Sequence, residues 1–172
     1  MSAAVSSMLP LTGLGYDVHR FAEGRPLILG GVEIPSARGL DGHSDADVLC
    51  HAIADAILGS VGEKDIGFHF PNTDASIKGI SSLELLRRVM VILRTHQGRL
   101  VNIDSTLVAE APKINPHVES MRRCLSEVLG IAPARIGIKA TTNERMGFVG
   151  REEGIAALAV AMVLIPEPTN PD

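Results

Sequence analysis

Asp17 and His19 stand two residues apart in the segment Gly15-Tyr-Asp-Val-His-Arg-Phe21. On a strand that spacing sends a carboxylate and an imidazole to the same face, where both can converge on one cation. Further along, Asp47, His51 and Asp55 recur every fourth residue and mark a polar stripe on an otherwise apolar helix. Two imidazoles and one carboxylate suit a catalytic zinc ion, which takes three protein ligands and keeps a fourth position for water or a substrate oxygen. The pattern is short, however, and an exposed edge pair with a hydrogen-bonded helix histidine accounts for the same residues. Asp47 and Asp55 read equally as a solvated face, and Asp55 also as a carboxylate that steadies a ligand from behind.

A second group lies far from the first. Lys139-Ala-Thr-Thr-Asn-Glu144 follows a strand-like run and packs a cation, two hydroxyls, an amide and a carboxylate into six residues. That is a grip for phosphate and a metal ion, or a polar exit from a strand. Ala111-Pro-Lys-Ile-Asn-Pro-His117 reads as turn chemistry leading into a helix. Gly147-Phe-Val-Gly-Arg-Glu-Glu-Gly154 is rich in glycine but matches neither the phosphate loop of nucleotide hydrolases nor a dinucleotide fingerprint.

The elements that must position these residues follow from periodicity and punctuation. Leu14 to Phe21 alternates as a strand, and Pro26 to Ile34 reads as two short strands hinged at Gly30-Gly31. Asp41-Gly-His-Ser opens a helix, with Ser44 and Asp47 resembling a capping box and Gly59 as its stop. Glu63 to Lys78 has the composition of an ordered, functional loop. Helices are expected from Ser82 to His96 and from Pro116 to Leu129, the latter ended by Gly130, and strands over Leu100 to Ala109 and Ile136 to Ala140. Gly154 to Ile165 is apolar and partly β-branched, a strand whose alanine content leaves a helix open. The order suggests an α+β sandwich, a mixed β-sheet with helices packed on one face and ferredoxin-like connectivity.

Composition narrows the function classes. The chain has 172 residues, 45% hydrophobic and 21% charged, enough for one domain that buries most of its apolar surface. Residues 13–166 are expected to form it, between a flexible extension at 1–12 and a tail at 167–172. With 3% aromatics, no Trp and a formal charge of -4, the chain offers neither stacking platforms nor a basic field for nucleic acid. Cys50 and Cys124 form no C-x-x-C pair, so a reduced cytoplasmic setting is the default. No apolar run reaches the roughly 20 residues of a membrane span, and no membrane partner is expected.

Taken in order, Gly15-Tyr-Asp-Val-His-Arg-Phe21, His43-Ser-Asp-Ala-Asp47, Asp65-Ile-Gly67, Phe70-Pro-Asn-Thr-Asp74, Ala111-Pro-Lys113 and Lys139-Ala-Thr-Thr-Asn-Glu144 resemble the 2-C-methyl-D-erythritol 2,4-cyclodiphosphate synthase family. Several separated motifs at matching intervals are more specific than any one of them. The resemblance implies a homotrimer whose sheets meet around a threefold axis, with active sites between protomers. It implies zinc on Asp17, His19 and His51, and a second divalent ion, magnesium or manganese, bridging the substrate's diphosphate with help from Glu144. His43 and Ser44 are implied to contact substrate phosphate, and Asp65, Gly67, Phe70 and Asn72 to line the methylerythritol pocket. Asn72 departs from the family, where Asp is common; an amide keeps the hydrogen bonding but drops a charge. Ala109, Pro112, Lys113, Ile114, Ala140, Thr141 and Thr142 are implied to hold cytidine. Phe148 and Arg151 are implied to face the axis, where family members can hold an isoprenoid diphosphate. Two other classes stay open: a metallophosphohydrolase that activates water at the same zinc, and a non-catalytic zinc or nucleotide module whose ion is closed by a fourth protein ligand.

Overall fold

A computed structural model describes residues 7–71, 73 and 79–167. Its elements, in chain order, are β1 (Met8–Ala22), β2 (Leu27–Leu29), β3 (Val32–Ile34), β4 (Gly39–Leu40), α1 (Val48–Ser60), α2 (Ile66–His69), α3 (Ser82–Thr95), β5 (Arg99–Val108), α4 (Val118–Leu129), β6 (Ile136–Thr141), α5 (Gly147–Gly150) and β7 (Gly154–Pro166). The main sheet runs β4-β1-β7-β5-β6, and β2 with β3 forms a separate hairpin. The sheet is mixed: β7 is antiparallel to both β1 and β5, whereas β5 and β6 are parallel. The expected α+β class with helices against a mixed sheet is therefore present, but the connectivity is not the expected ferredoxin-like one: the strands of the main sheet follow β1-α-β5-α4-β6-β7, so that two helical crossovers precede a final antiparallel strand where the ferredoxin-like order places a hairpin between them. None of the helices among the described residues is long and apolar enough to cross a membrane.

The last segment is a strand despite its alanines, and its pattern says why. Ala157, Ala159, Ala161 and Val163 are buried, while Leu158, Val160 and Met162 on the alternate face are exposed. The small side chains point at α1, which can then lie close to the sheet. The same device recurs on β1. A Cβ built on Gly13 would stand 2.0 Å from the Ala56 carbonyl oxygen, and one on Gly15 would stand 1.9 Å from that of Ala52. Helix and strand backbones touch there, which only glycine permits. Apolar nearly all round, α1 is enclosed by the sheet on one side and α3 on the other, at the centre of the core.

β1 begins earlier than expected. Met8 to Thr12, read as part of a flexible extension, is paired residue by residue from Met8 opposite Pro166 to Thr12 opposite Met162. A strand as long as β7 supplies ladder partners to this stretch, which its composition alone does not reveal. Residues 1–6, like Asn72, lie outside the described residues.

The start of α1 also differs from the expectation. Residues 41–46 are irregular, and Asp47, not Ser44, is the N-cap. Ala46 has φ 57°, which a helix excludes. The Arg25 guanidinium donates to the carbonyls of Gly42 and Ser44, each at 2.5 Å, and holds this loop in place. Asp47 is fully buried and accepts from the N–H groups of Cys50 (3.1 Å), Gly30 (3.0 Å) and Gly31 (2.7 Å). It is thus neither solvated nor at the metal site: it fastens the β2–β3 turn to α1. α4 ends as expected, with Gly130 in the left-handed region at φ 68°.

Candidate active site

The face of β1 that carries Gly13 and Gly15 also carries Asp17 and His19, by strict alternation. The glycine contacts bring α1 against this face, and His51, one residue before Ala52, arrives beside the pair. Asp17 Oδ2 is 3.0 Å from His19 Nε2 and 3.0 Å from His51 Nδ1, and the two ring nitrogens are 3.1 Å apart. Three donors around one ion at about 2.0 Å in tetrahedral geometry stand roughly 3.3 Å from one another, so this triangle fits zinc. Among the described residues this is the one group of three such donors close enough to share a cation.

Without an ion, protons shared between Asp17 and the two rings hold the triangle together, and a cation bound there would replace them. Burial by itself would raise the Asp17 carboxyl, but hydrogen bonds with His19 and His51 outweigh it and hold the group well below the usual carboxylate range. Burial would lower His19, and the hydrogen bond to Asp17 more than reverses this and raises it. His19 Nδ1 donates to the carbonyl of Asp41 at 2.6 Å, which turns Nε2 toward Asp17.

The triangle opens into a pocket of about 240 Å³ lined also by Gly42, His43, Ser44, Ile66, Gly67, Phe70, Ile80 and Leu85. His43 is exposed at its mouth. The Ser44 hydroxyl accepts from Ala46 N–H at 3.1 Å and stands 3.3 Å from His51 Nε2. α2 supplies Gly67 to the wall. Asp65 caps this short helix through Phe68 N–H at 2.8 Å, and Asp55 accepts from Ile66 N–H at 2.8 Å. Asp55 therefore anchors the pocket wall to α1, rather than backing a metal ligand as its place on the polar stripe suggested. Glu63 ties the segment before α2 to the end of α3: it accepts from His96, the residue that caps α3, at 2.8 Å, and His69 at the end of α2 stands 3.2 Å away but off the line of a hydrogen bond.

A second cleft of about 420 Å³ gathers Ala109, Pro112, Lys113, Ile114, Ala140, Thr141 and Thr142, the whole set expected to hold cytidine. Lys139 is not in it; its ammonium is bound by Asp104 at 2.6 Å. Glu144 lies beside this cleft, hydrogen-bonded to Thr142 Oγ at 3.0 Å, and not in the donor triangle of its own chain. Its loop is pinned by Glu110, which accepts from the N–H groups of Asn143 and Arg145, each at 3.0 Å. Glu110, Arg25 and Ser82 were not marked by sequence reasoning; only Ser82 carried a signal, as a hydroxyl at a helix start.

Register gives the separation of the two halves. Asp17 pairs with Ala157, Ala157 with Leu107, and Leu107 with Ala140. They share one row across the sheet, three strand spacings or about 14 Å apart. Beyond both, Phe148 is partly exposed on α5, and Arg151 Nε pairs with Glu153 at 2.6 Å.

Comparison with known proteins bears on what this arrangement does. The sequence model of the YgbB family matches residues 11–164. A 2-C-methyl-D-erythritol 2,4-cyclodiphosphate synthase of Akkermansia muciniphila is 60% identical over 164 residues, covering 95% of this chain and 97% of the relative. One of Symbiobacterium thermophilum, with the same name, is 63% identical over 153 residues, covering 89% and 98%. Among solved structures, a 2C-methyl-D-erythritol-2,4-cyclodiphosphate synthase with CDP bound superposes with a TM-score of 0.82 at 36% identity, covering 88% of this chain and 99% of the other.

Proposed function

The chain belongs to the YgbB family, and from that premise we propose how its residues carry out the reaction. The activity is that of a 2-C-methyl-D-erythritol 2,4-cyclodiphosphate synthase in the non-mevalonate route to isoprenoids. The substrate is 4-diphosphocytidyl-2-C-methyl-D-erythritol 2-phosphate; its own 2-phosphate attacks the β-phosphorus of the diphosphocytidyl arm, the ring closes and CMP leaves. The observation that carries this reading is the three-donor triangle of Asp17, His19 and His51 opening on a pocket walled by His43, Ser44 and Gly67.

A phosphate oxygen is already ionised near neutral pH, so the chain need supply no general base. Its work is to fold a flexible substrate into an in-line pose and to offset charge where the new bond forms. Asp17, His19 and His51 would hold zinc, and Glu144 would share magnesium or manganese with the diphosphate, in keeping with the preference of such ions for one carboxylate plus substrate oxygens. When bound, these ions neutralise charge at the reacting phosphorus. Ser44 keeps its hydroxyl hydrogen for a phosphate oxygen, since its oxygen accepts from Ala46. His43, at the pocket mouth, orients phosphate. Asp65, Gly67, Phe70 and Asn72 form the methylerythritol subsite, and the second cleft takes the cytidine through Lys113 and Thr142.

We further read the protein as a cytoplasmic homotrimer with one catalytic domain per chain and sites shared between protomers. Two observations support this. Leu14, Tyr16, Val18, Leu158, Val160 and Met162 form an apolar stripe across β1 and β7, on the face α1 does not cover. The carboxylate of Glu144 is also absent from the metal triangle of its own chain. Phe148 and Arg151 would meet an isoprenoid diphosphate at the trimer axis; the pair with Glu153 occupies only the Nε of Arg151. Phosphorus NMR of the product tests the chemistry. Cyclisation gives a cyclic diphosphate and CMP with no inorganic phosphate, whereas release of inorganic phosphate would identify a hydrolase instead.

A further inference from the structure

A histidine that binds a metal through one nitrogen must carry its proton on the other. For His19 that is secured by the Asp41 carbonyl at Nδ1. We propose that Ser82 and Asp45 do the same for His51, as positioning residues that fix its tautomer and ring pose; the inference rests on reading Asp17, His19 and His51 as a zinc site.

The argument follows the hydrogens. Ser82 is fully buried and is the first residue of α3. Its hydroxyl bonds to Asp45 Oδ1 and stands 3.0 Å from His51 Nε2. A hydroxyl has one hydrogen, and a carboxylate only accepts, so that hydrogen goes to Asp45. What faces His51 is a lone pair. Nε2 must then be protonated and donate to Ser82, so that when a metal ion takes the place of the proton between Nδ1 and Asp17, the lone pair of Nδ1 is the one turned to the ion, beside Asp17 and His19. Asp45 is held in turn, by Ser82 N–H at 3.0 Å and Asp47 N–H at 3.3 Å. Ser44, the other neighbour of Nε2, is 3.3 Å away and cannot enforce a tautomer, because its hydrogen is free to turn either toward or away from the ring. The relay also ties the metal ligand on α1 to the start of α3, from an aspartate that neither helix contains.

The test measures zinc affinity of the full chain by competition with a chromophoric chelator, for the parent, Ser82→Ala, Asp45→Asn, the double variant and His51→Ala. Each relay variant should bind zinc about tenfold to a hundredfold more weakly, the range for loss of a residue behind a ligand. The double variant should lose no more than Ser82→Ala alone, because Asp45 acts through the hydroxyl. Cobalt-loaded Ser82→Ala should show a shifted d–d spectrum, a readout that the lowered melting temperature expected from losing a buried hydroxyl bonded to Asp45 does not reproduce. Zinc affinity within twofold of the parent in Ser82→Ala, additive losses in the double variant, or an unshifted cobalt spectrum would each overturn the relay. If the parent binds no zinc, or His51→Ala binds it as well as the parent, the zinc reading falls and the relay with it. Loss in His51→Ala alone rejects only the relay.

Discussion

Replacing Gly15 by Ala adds one methyl group at the closest approach of β1 to α1, and the structure sets its cost. The new Cβ would lie 1.9 Å from the Ala52 carbonyl oxygen and 2.7 Å from Ala56 N, both backbone atoms that cannot rotate away. Real contacts do not fall below 3.0 Å, so α1 must retreat by about 1.1 Å at the residue next to His51. Overpacking of this kind costs about 1–3 kcal/mol and occasionally more, against a gain below about 1 kcal/mol from stiffening the unfolded chain. The net loss should be about 2 kcal/mol, read as a lower urea midpoint of the metal-free protein at unchanged slope. The same retreat widens the 3.0 Å spacing between His51 and Asp17 to about 4 Å, where bond lengths held to within roughly 0.2 Å cannot all be met. Zinc binding should weaken, and turnover should fall about a hundredfold, the usual penalty for a misplacement near 1 Å. Gly59→Ala is the control: its Cβ meets nothing nearer than the Leu14 carbonyl at 4.0 Å. It should be neutral or stabilising by up to about 1 kcal/mol. If Gly15→Ala matches the parent in midpoint and zinc content, the close packing of α1 on β1 is not what assembles the site.

Two further outcomes follow from the geometry. On the proposed trimer with shared sites, His51→Ala and Glu144→Ala should each be inactive alone, but every mixed assembly would have one interface joining an intact metal half to an intact nucleotide half; coexpression should restore roughly a quarter of parental activity. Mixed trimers that are verified yet inactive would exclude a shared site. Glu63 is held below its ordinary value of 4.5 by the hydrogen bond from His96, against a smaller opposing effect of burial. A depressed carboxyl contributes stability that is present above its unfolded value and lost as pH falls through its folded one. Below about pH 4.5 the parent should therefore lose a contribution that Glu63→Gln lacks at every pH; parallel stability curves for the two proteins would show that Glu63 does not hold the loop before α2 to the end of α3.

Much of this molecule is local and was legible as such. The hinge at Gly30-Gly31, the span of α3 and the stop at Gly130 follow from periodicity and backbone preference within a few residues. That Asp17 and His19 share a face follows from the period of a strand. The choice among Asp47, His51 and Asp55 did not follow, because a helical stripe offers all three equally. Docking made it: α1 meets β1 at Gly13 and Gly15, which brings His51 to Asp17, turns Asp55 to α2, and leaves Asp47 to cap the helix and hold the hairpin. The start of β1 at Met8 was hidden for a related reason, since its partner residues lie some 150 positions away in β7. Asp45 and Ser82 are 37 residues apart and meet only when the loop before α1 folds over the start of α3. Side-chain type and spacing determined which groups were available to bind metal and phosphate, and the packing of backbones, through contacts that no local pattern encodes, decided which of them face one another.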